Sequence, residues 1–456
     1  MPHANRGASK GTIRLPPPGP ADAARIDDAL RALADRLSED QRRVVILDDD
    51  PTGTQTSSAV DVLLDPTDDP IAQALDAPDR SVFVLTNSRS LDEADAVSLV
   101  RGIASSAAAH AARRGVNASL LLRGDSTLRG HVFAEIDAIG GAGERAVFCP
   151  AFPEGGRVTV GGRQLIRHAR RWTPVSDTEF ARDPVFGYTS EFLVDWVHER
   201  GQRPARMIDL DEVRRGPTAV AAAIGRAEPG TVVIPEAIDG GDIAVIAHGI
   251  LDAERAGAGL VVRSSASLAS TRAGLVARPL RGLDVTGPVL VVCGSHTAAA
   301  TRQLQTLVDH VGVQLVVLPT SAAVDASREW SGVLHDLRTV LRSMGVAVLA
   351  TERTRRREHG TLSHGAAVMD ALVGLVGELA GEFDALITKG GITSAEVARR
   401  SLGARRARVR GQLLPGVAVW DLDATPGNAV AQVIVPGNVG GPETLTVAWQ
   451  RISIAE

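Results

Sequence analysis

The chain has 456 residues, 44% of them hydrophobic and 23% charged, with a formal net charge of −5. That balance suits a globular protein of two or three domains, argues against wholesale disorder, and leaves no large basic footprint for nucleic acid. No stretch approaches the roughly 18 apolar residues of a membrane span. Cys149 and Cys293 cannot build a disulfide framework, and no secretory signal pattern is present, so the reducing cytoplasm is the expected compartment.

Residues 1–22 are polar and then Pro-rich, with no apolar period, and are expected to form a disordered tail. Ile26, Leu30, Leu33 and Leu37 share one face of a predicted helix over 23–38. A strand over 44–47 then runs into Asp48-Asp49-Asp50. Open α/β sheets place their ligands at such carboxyl ends of strands. The pattern repeats: strand 82–85 ends at Thr86–Ser90, and a helix over 92–113 follows. Strand 119–122 ends at Arg123–Gly130, and strand 146–149 ends at Pro150–Arg157. Further strands are expected at 232–234 and 260–262. This alternation predicts a mostly parallel sheet with helices on both faces.

Turn formers in 264–288 mark a boundary, with a first domain over 23–270, a linker over 271–288 and a second domain over 289–456. The second domain opens with strand 289–292, the loop Cys293–Thr297 and a helix to about 311. Strands at 314–318, 347–350, 385–387 and 433–435 follow, and the last two end at Thr388–Ser394 and Pro436–Gly441.

Three clusters carry chemistry. Consecutive carboxylates at Asp48, Asp49 and Asp50 repel unless a metal, a basic ligand or nearby Arg offsets them. The competing reading is an acidic turn capping the next element. Arg123-Gly124-Asp125-Ser126-Thr127-Leu128-Arg129-Gly130 offers two guanidiniums for a carboxylate or phosphate and a carboxylate for sugar hydroxyls. Its competing reading is a capped helix start with Arg129 in solvent. Arg89 is a weaker candidate of the same kind. In the second half, Ser295, the run Gly390-Gly391-Ile392-Thr393, and Gly437, Asn438 and Gly440 lie in Gly-bearing loops whose backbone N–H groups suit phosphates.

Lysine occurs only at Lys10 and Lys389, and Lys389 stands inside one of these loops as a candidate phosphate charge. Pro150–Gly162 is too rich in Gly and Pro for regular structure, and is expected as a loop or crossover. Arg353–Arg357 reads as a solvated basic turn. The histidines show no zinc spacing, and no dinucleotide fingerprint opens the first strand.

These residues resemble the four-carbon acid sugar kinases, the DUF1537 family. The family's D-D-F-T-G-A is similar to Asp49–Thr54, its K-x-D-S-T-L-R-G to Arg123–Gly130, and its P-A-F-P-x-x-G-R to Pro150–Arg157. In the second half, its C-G-S is similar to Cys293–Ser295, its T-G-G-x-T-A to Lys389–Ser394, and its K-S-G-N-F-G to Val435–Gly440. The chain departs from the family at Pro51 for Phe, Arg123 for Lys, Lys389 for Thr and Val435 for Lys. The last two read as one positive charge moved between neighbouring loops.

The resemblance implies an α/β fold of two domains, each a mostly parallel sheet flanked by helices, with a ligand cleft between them. It implies an ATP- and Mg2+-dependent kinase acting on the terminal hydroxyl of a four-carbon sugar acid. Arg89, Arg123, Gly124, Asp125, Ser126 and Arg129 would hold the acid, and Asp49 or Asp50 would act as base. Ser295, Lys389, Gly390, Gly391, Ile392, Thr393, Gly437, Asn438 and Gly440 would hold the nucleotide. A small-molecule partner is expected, with neither nucleic acid nor membrane, and a homodimer is a candidate assembly. The alternative expectation is a relative that binds sugar acids without transferring phosphate.

Overall fold

The computed structural model describes residues 13–19, 23–40, 42–66, 71–72, 75, 81–168, 171–321, 323, 330–354, 362–423, 430–437 and 439–455. The first half follows the expected alternation. Strands β1 (Arg42–Asp48), β2 (Val60–Leu63), β3 (Ser81–Leu85), β4 (Asn117–Arg123) and β5 (Arg145–Cys149) are, except for β2 with its Asp61, apolar at their centres. Such runs are buried on both faces, as parallel strands covered by helices require. The helix Glu93–Arg114 shows how locally the boundaries are set. Asp92 caps its first turn by accepting from the Asp95 amide, and Gly115 ends it at φ 65°.

The run Pro150–Gly162 departs from expectation. Residues Arg157–Val160 form β6, which pairs antiparallel with β7 (Arg163–His168), and β7 pairs with β8 (Arg171–Pro174). The glycines Gly161 and Gly162 take the positive φ of a tight hairpin turn, so their abundance marks a hairpin. Strands β9 (Ala205–Ile208), β10 (Val232–Pro235) and β11 (Leu260–Ser264) complete the first half. Residues 266–272, expected to lie at a weak boundary, form a fully buried helix whose Ala266 carbonyl and Ser270 hydroxyl bond to Thr56.

The second half holds β12 (Val289–Cys293), β13 (Leu315–Leu318), β14 (Val346–Thr351), β15 (Ala385–Lys389), β16 (Arg406–Leu414), β17 (Val417–Leu422) and β18 (Val430–Val435). The two α/β halves share one 15-stranded sheet, in the order β13-β14-β12-β15-β18-β17-β16-β2-β3-β1-β4-β11-β5-β10-β9. Pairing is parallel except across β18-β17-β16-β2, where the antiparallel hairpin β16–β17 joins the halves edge to edge. Trp420 on β17 is buried and its indole N–H donates to Thr54 Oγ1 at 2.9 Å, which ties the hairpin to the loop after β1.

Of the expected tail, residues 13–19 are described. The Gly19 amide donates to Asp239 at 2.7 Å and Arg214 donates to the Pro17 carbonyl at 3.0 Å, so this part lies against the first half. The rest of the tail lies outside the described residues. Among the described residues, no helix is long and apolar enough to cross a membrane.

Candidate active site

The carboxyl ends of β1, β3 and β4 face those of β12, β15 and β18 across a cleft of about 610 Å³. Asp50, Arg89, Asp125 and Arg129 line it from the first half, and Ser295, Thr297, Gly390, Gly391, Ile392, Thr393 and Gly437 from the second. Asp49, Arg123, Gly124, Ser126, Lys389 and Gly440 lie outside the lining. Asn438 lies outside the described residues.

Behind the first-half wall sits a buried ionic network. Arg123, 3% exposed, turns into the acidic loop. Its Nη1 reaches Asp48 Oδ1 at 2.9 Å and the Asp50 carbonyl at 3.0 Å, and its Nη2 reaches Thr52 Oγ1 at 3.1 Å. Its role in this arrangement is to gather the carboxylates. Arg263 on β11 donates to Asp49 Oδ2 at 3.1 Å and pairs with Glu135, which also accepts from the Ser88 hydroxyl. Gly124 makes room for this guanidinium, since a Cβ there would stand 2.3 Å from Arg263 Nη2. Arg89 pairs with Asp50 and lies 3.3 Å from Asp125.

Carboxylates outnumber guanidiniums in this network, and burial shifts the balance. It pushes Asp48 up to about 7 against the pull of Arg123, so this carboxyl keeps its proton well above the pH at which an ordinary aspartate loses it. Asp125 goes the other way. Burial opposes its charge, yet Arg129, Arg89 and the Thr127 donors hold its carboxyl well below the usual range. Arg129 bonds to Asp125 at 2.7 Å, approaches Asp183 at 3.5 Å and lies over the Phe180 ring. It is thus partnered, where a capped helix start would have left it in solvent.

Asp50 occupies the point where the halves meet. One carboxylate oxygen accepts from the Thr52 amide at 2.7 Å, capping the short 3-10 helix Pro51–Thr56. The carboxylate also packs on Gly391 so closely that a Cβ there would fall 2.3 Å from it. A second bridge lies nearby, where Asn87 Nδ2 donates to Glu396 at 3.0 Å.

In the second-half wall, Thr297 caps the helix Ala298–Val311, and its hydroxyl donates to the Gly437 carbonyl at 3.0 Å. Gly390 adopts φ 114°, a conformation that suits glycine and turns the chain sharply out of β15. Arg353, expected in solvent, instead donates to the Ser295 and Thr351 carbonyls. Residues 355–357 of that basic run lie outside the described residues. Lys389 is fully buried, and its ammonium donates to the Pro436 carbonyl at 2.6 Å. Burial lowers this lysine to about 7.

Residue-by-residue reading missed Arg263, Glu135, Asn87, Thr297 and Glu396. Arg263 did leave a signal, since an arginine inside the apolar run Leu260–Ser264 has to find a buried partner.

The chain matches two family models, a sugar-binding N-terminal domain over residues 44–272 and a nucleotide-binding C-terminal domain over 290–445. A D-threonate kinase of Cupriavidus necator is 28% identical over 75% of this chain and 81% of its own length. A D-erythronate kinase of Heliobacterium modesticaldum is 32% identical over 45% of this chain, a match that spans about half of that enzyme, 46%. Among solved structures, a Salmonella typhimurium LT2 protein superposes with a TM-score of 0.64 at 17% identity, covering 90% of this chain and all of that one. A DUF1537 protein of Haemophilus influenzae gives 0.59, also at 17% identity, over 89% of this chain and 99% of that one. The structural likenesses speak for the fold. The paired domain models, with the kinases among its sequence relatives, establish that the chain belongs to the four-carbon acid sugar kinase family.

Proposed function

We propose that the protein transfers the γ-phosphoryl group of ATP to the terminal hydroxyl of a four-carbon sugar acid of the threonate, erythronate or 3-oxo-tetronate type. The observation that carries this reading is the composition of the cleft. A carboxylate, Asp50, sits where a wall bearing Arg89 and Arg129 meets a wall of glycine loops and hydroxyls.

Arg89 and Arg129 are the guanidiniums that the first half's described residues place on the cleft, so they receive the acid's carboxylate, exchanging part of their pairing to Asp125 and Asp183. Asp125 is then free to accept from the sugar hydroxyls. Asp50 accepts the proton of the attacking hydroxyl, as phosphoryl transfer requires of a positioned base. Asp49 and Arg123 hold that base in place from behind. Ser295, Thr297, Gly390–Thr393 and the loop at Gly437 receive the nucleotide.

Glu396, one of the carboxylates on the second half's side of the cleft, would hold Mg2+ together with the substrate phosphates, because this ion usually binds through one or two carboxylates plus phosphates. When bound it offsets the charge of the phosphates. The supply of ATP and the two buried free thiols, Cys149 and Cys293, suit the cytoplasm.

A coupled ADP-release assay over D- and L-threonate, erythronate and their 3-oxo forms tests the proposal. Turnover with at least one acid is expected. Retained acid binding without ADP release from any of them would leave a binding protein in place of a kinase.

A further inference from the structure

Lys389 ends β15 with no exposed surface, although a lysine side chain costs a great deal to bury. Its ammonium is turned away from the cleft, into the back of the loop that follows β18. There it donates to the Pro436 carbonyl at 2.6 Å and the Val439 carbonyl at 3.3 Å. Two other donors work on the same loop. Gln303 Nε2 reaches the Val439 carbonyl at 3.0 Å, and Thr297 Oγ1 reaches the Gly437 carbonyl at 3.0 Å. Gln303 is itself fully buried. The carbonyls of residues 436 and 439 are therefore held from the protein side and that of 437 by the helix cap Thr297, while Pro436 and Gly437 face the cleft. Gly440 completes the loop at φ 88°, with Thr444 so close that a side chain there would collide with it.

A peptide unit whose carbonyl is fixed on one side presents its N–H on the other. An N–H held in this way beside a helix's positive end makes a corner that suits an anion. The cap of the 14-residue helix Ala298–Val311 abuts this loop through Thr297, so the helix's positive end adds to the same field.

We infer that Lys389 is a positioning residue for the nucleotide's polyphosphate: it clamps the Pro436 and Val439 carbonyls from behind, so that the Gly437 amide, the N–H of the first clamped peptide unit, is turned toward the phosphates. The lysine touches no ligand in this scheme. The inference rests on the proposal that the second half binds ATP, and it adds which part of the nucleotide this loop reads and what shapes it.

Lys389→Met keeps the length and apolar stem of the side chain and removes the clamp. Calorimetric titration of the full-length protein with ADP and, separately, with adenosine reads the effect. ADP affinity is expected to fall about tenfold or more, the scale of a lost charge-assisted hydrogen bond. Adenosine and tetronate affinities should stay within about twofold, and KM for ATP should rise more than kcat falls. Equal ADP affinity in wild type and variant overturns the inference, as does an equal loss of ADP and adenosine, which would mark general loosening. A wild-type protein that binds no nucleotide overturns the ATP reading and the clamp with it. Should Lys389→Met fail to fold, Gln303→Met removes the other donor to Val439. It should give the same selective loss, and unchanged ADP affinity in it overturns the clamp.

Discussion

Three consecutive aspartates follow β1, and the structure gives each a different task. Asp48 and Asp49 are 1% and 2% exposed and belong to the buried network, whereas Asp50 reaches the cleft. Asp50→Asn is therefore expected to lower kcat about a hundredfold or more, the usual scale for losing a positioned base, with ADP binding retained. Asp49→Asn should cost less in kcat. Steady-state kinetics on the purified pair checks the order, and the larger loss in Asp49→Asn would move the base to Asp49.

Asp48 makes a different prediction. Its folded pKa of about 7 lies above the 3.8 of an ordinary aspartate. The folded state thus binds more protons than the unfolded one between these values, and stability falls as pH rises through that window. Asn at position 48 can still accept from Arg123 and carries no charge. Relative to wild type, Asp48→Asn should gain melting temperature from pH 5 to pH 8 and lose that gain below about pH 4, the region of an unperturbed Asp. Thermal melts across this range test it, and a flat difference would remove Asp48 as the titrating group.

The acidic run could be read from sequence because its residues are adjacent and end an apolar strand. Arg263 signalled only that it needs a buried partner and Glu135 gave no such sign, and which groups they meet depends on the fold, since they lie 214 and 86 residues after Asp49.

At the scale of elements, most strands with continuous apolar runs were legible to within a few residues, but the apolar β17 was missed, and so were β2 and β16. Asp61 interrupts the run of β2, and Arg406, Arg408 and Arg410 alternate along β16, so neither presents an apolar stretch. Their polar residues satisfy one another across the pairing, with Asp61 bonded to Arg406 and Arg408. That complementarity is invisible in either segment alone. The register of β15 and β18 adds a further result, because Lys389 pairs directly with Val435. The sequence reading of a positive charge exchanged between these positions therefore concerns neighbours on one rung of the sheet. Lys389→Thr should weaken ADP binding, and the double variant Lys389→Thr/Val435→Lys should restore most of it. Titration of both variants with ADP tests this, and an unrescued double variant would show that the two sites are not interchangeable.

For the whole molecule, the two α/β halves were legible as separate units because each begins with its own buried strand and a turn-rich stretch divides them. Their union was not legible, since it depends on the strands that sequence pattern missed. The β16–β2 pairing and the Trp420–Thr54 bond join the halves through backbone and core. Thermal unfolding is therefore expected as a single transition, with tryptophan fluorescence and far-UV dichroism melting together. Two resolved transitions in calorimetry would show that the junction does not couple the halves.

The same junction constrains how the two halves can move against each other. A cleft between halves strung on a flexible linker opens by swinging, but here a hydrogen-bonded ribbon crosses the gap. Its β16 strand carries register shifts between Val409 and Gly411 and between Gln412 and Leu414. Such irregularities concentrate twist. Opening thus becomes torsion of a bar anchored at both ends, and the bulged segment 409–414 sets its compliance. The compliance of the cleft is then set by a strand that lies outside its lining.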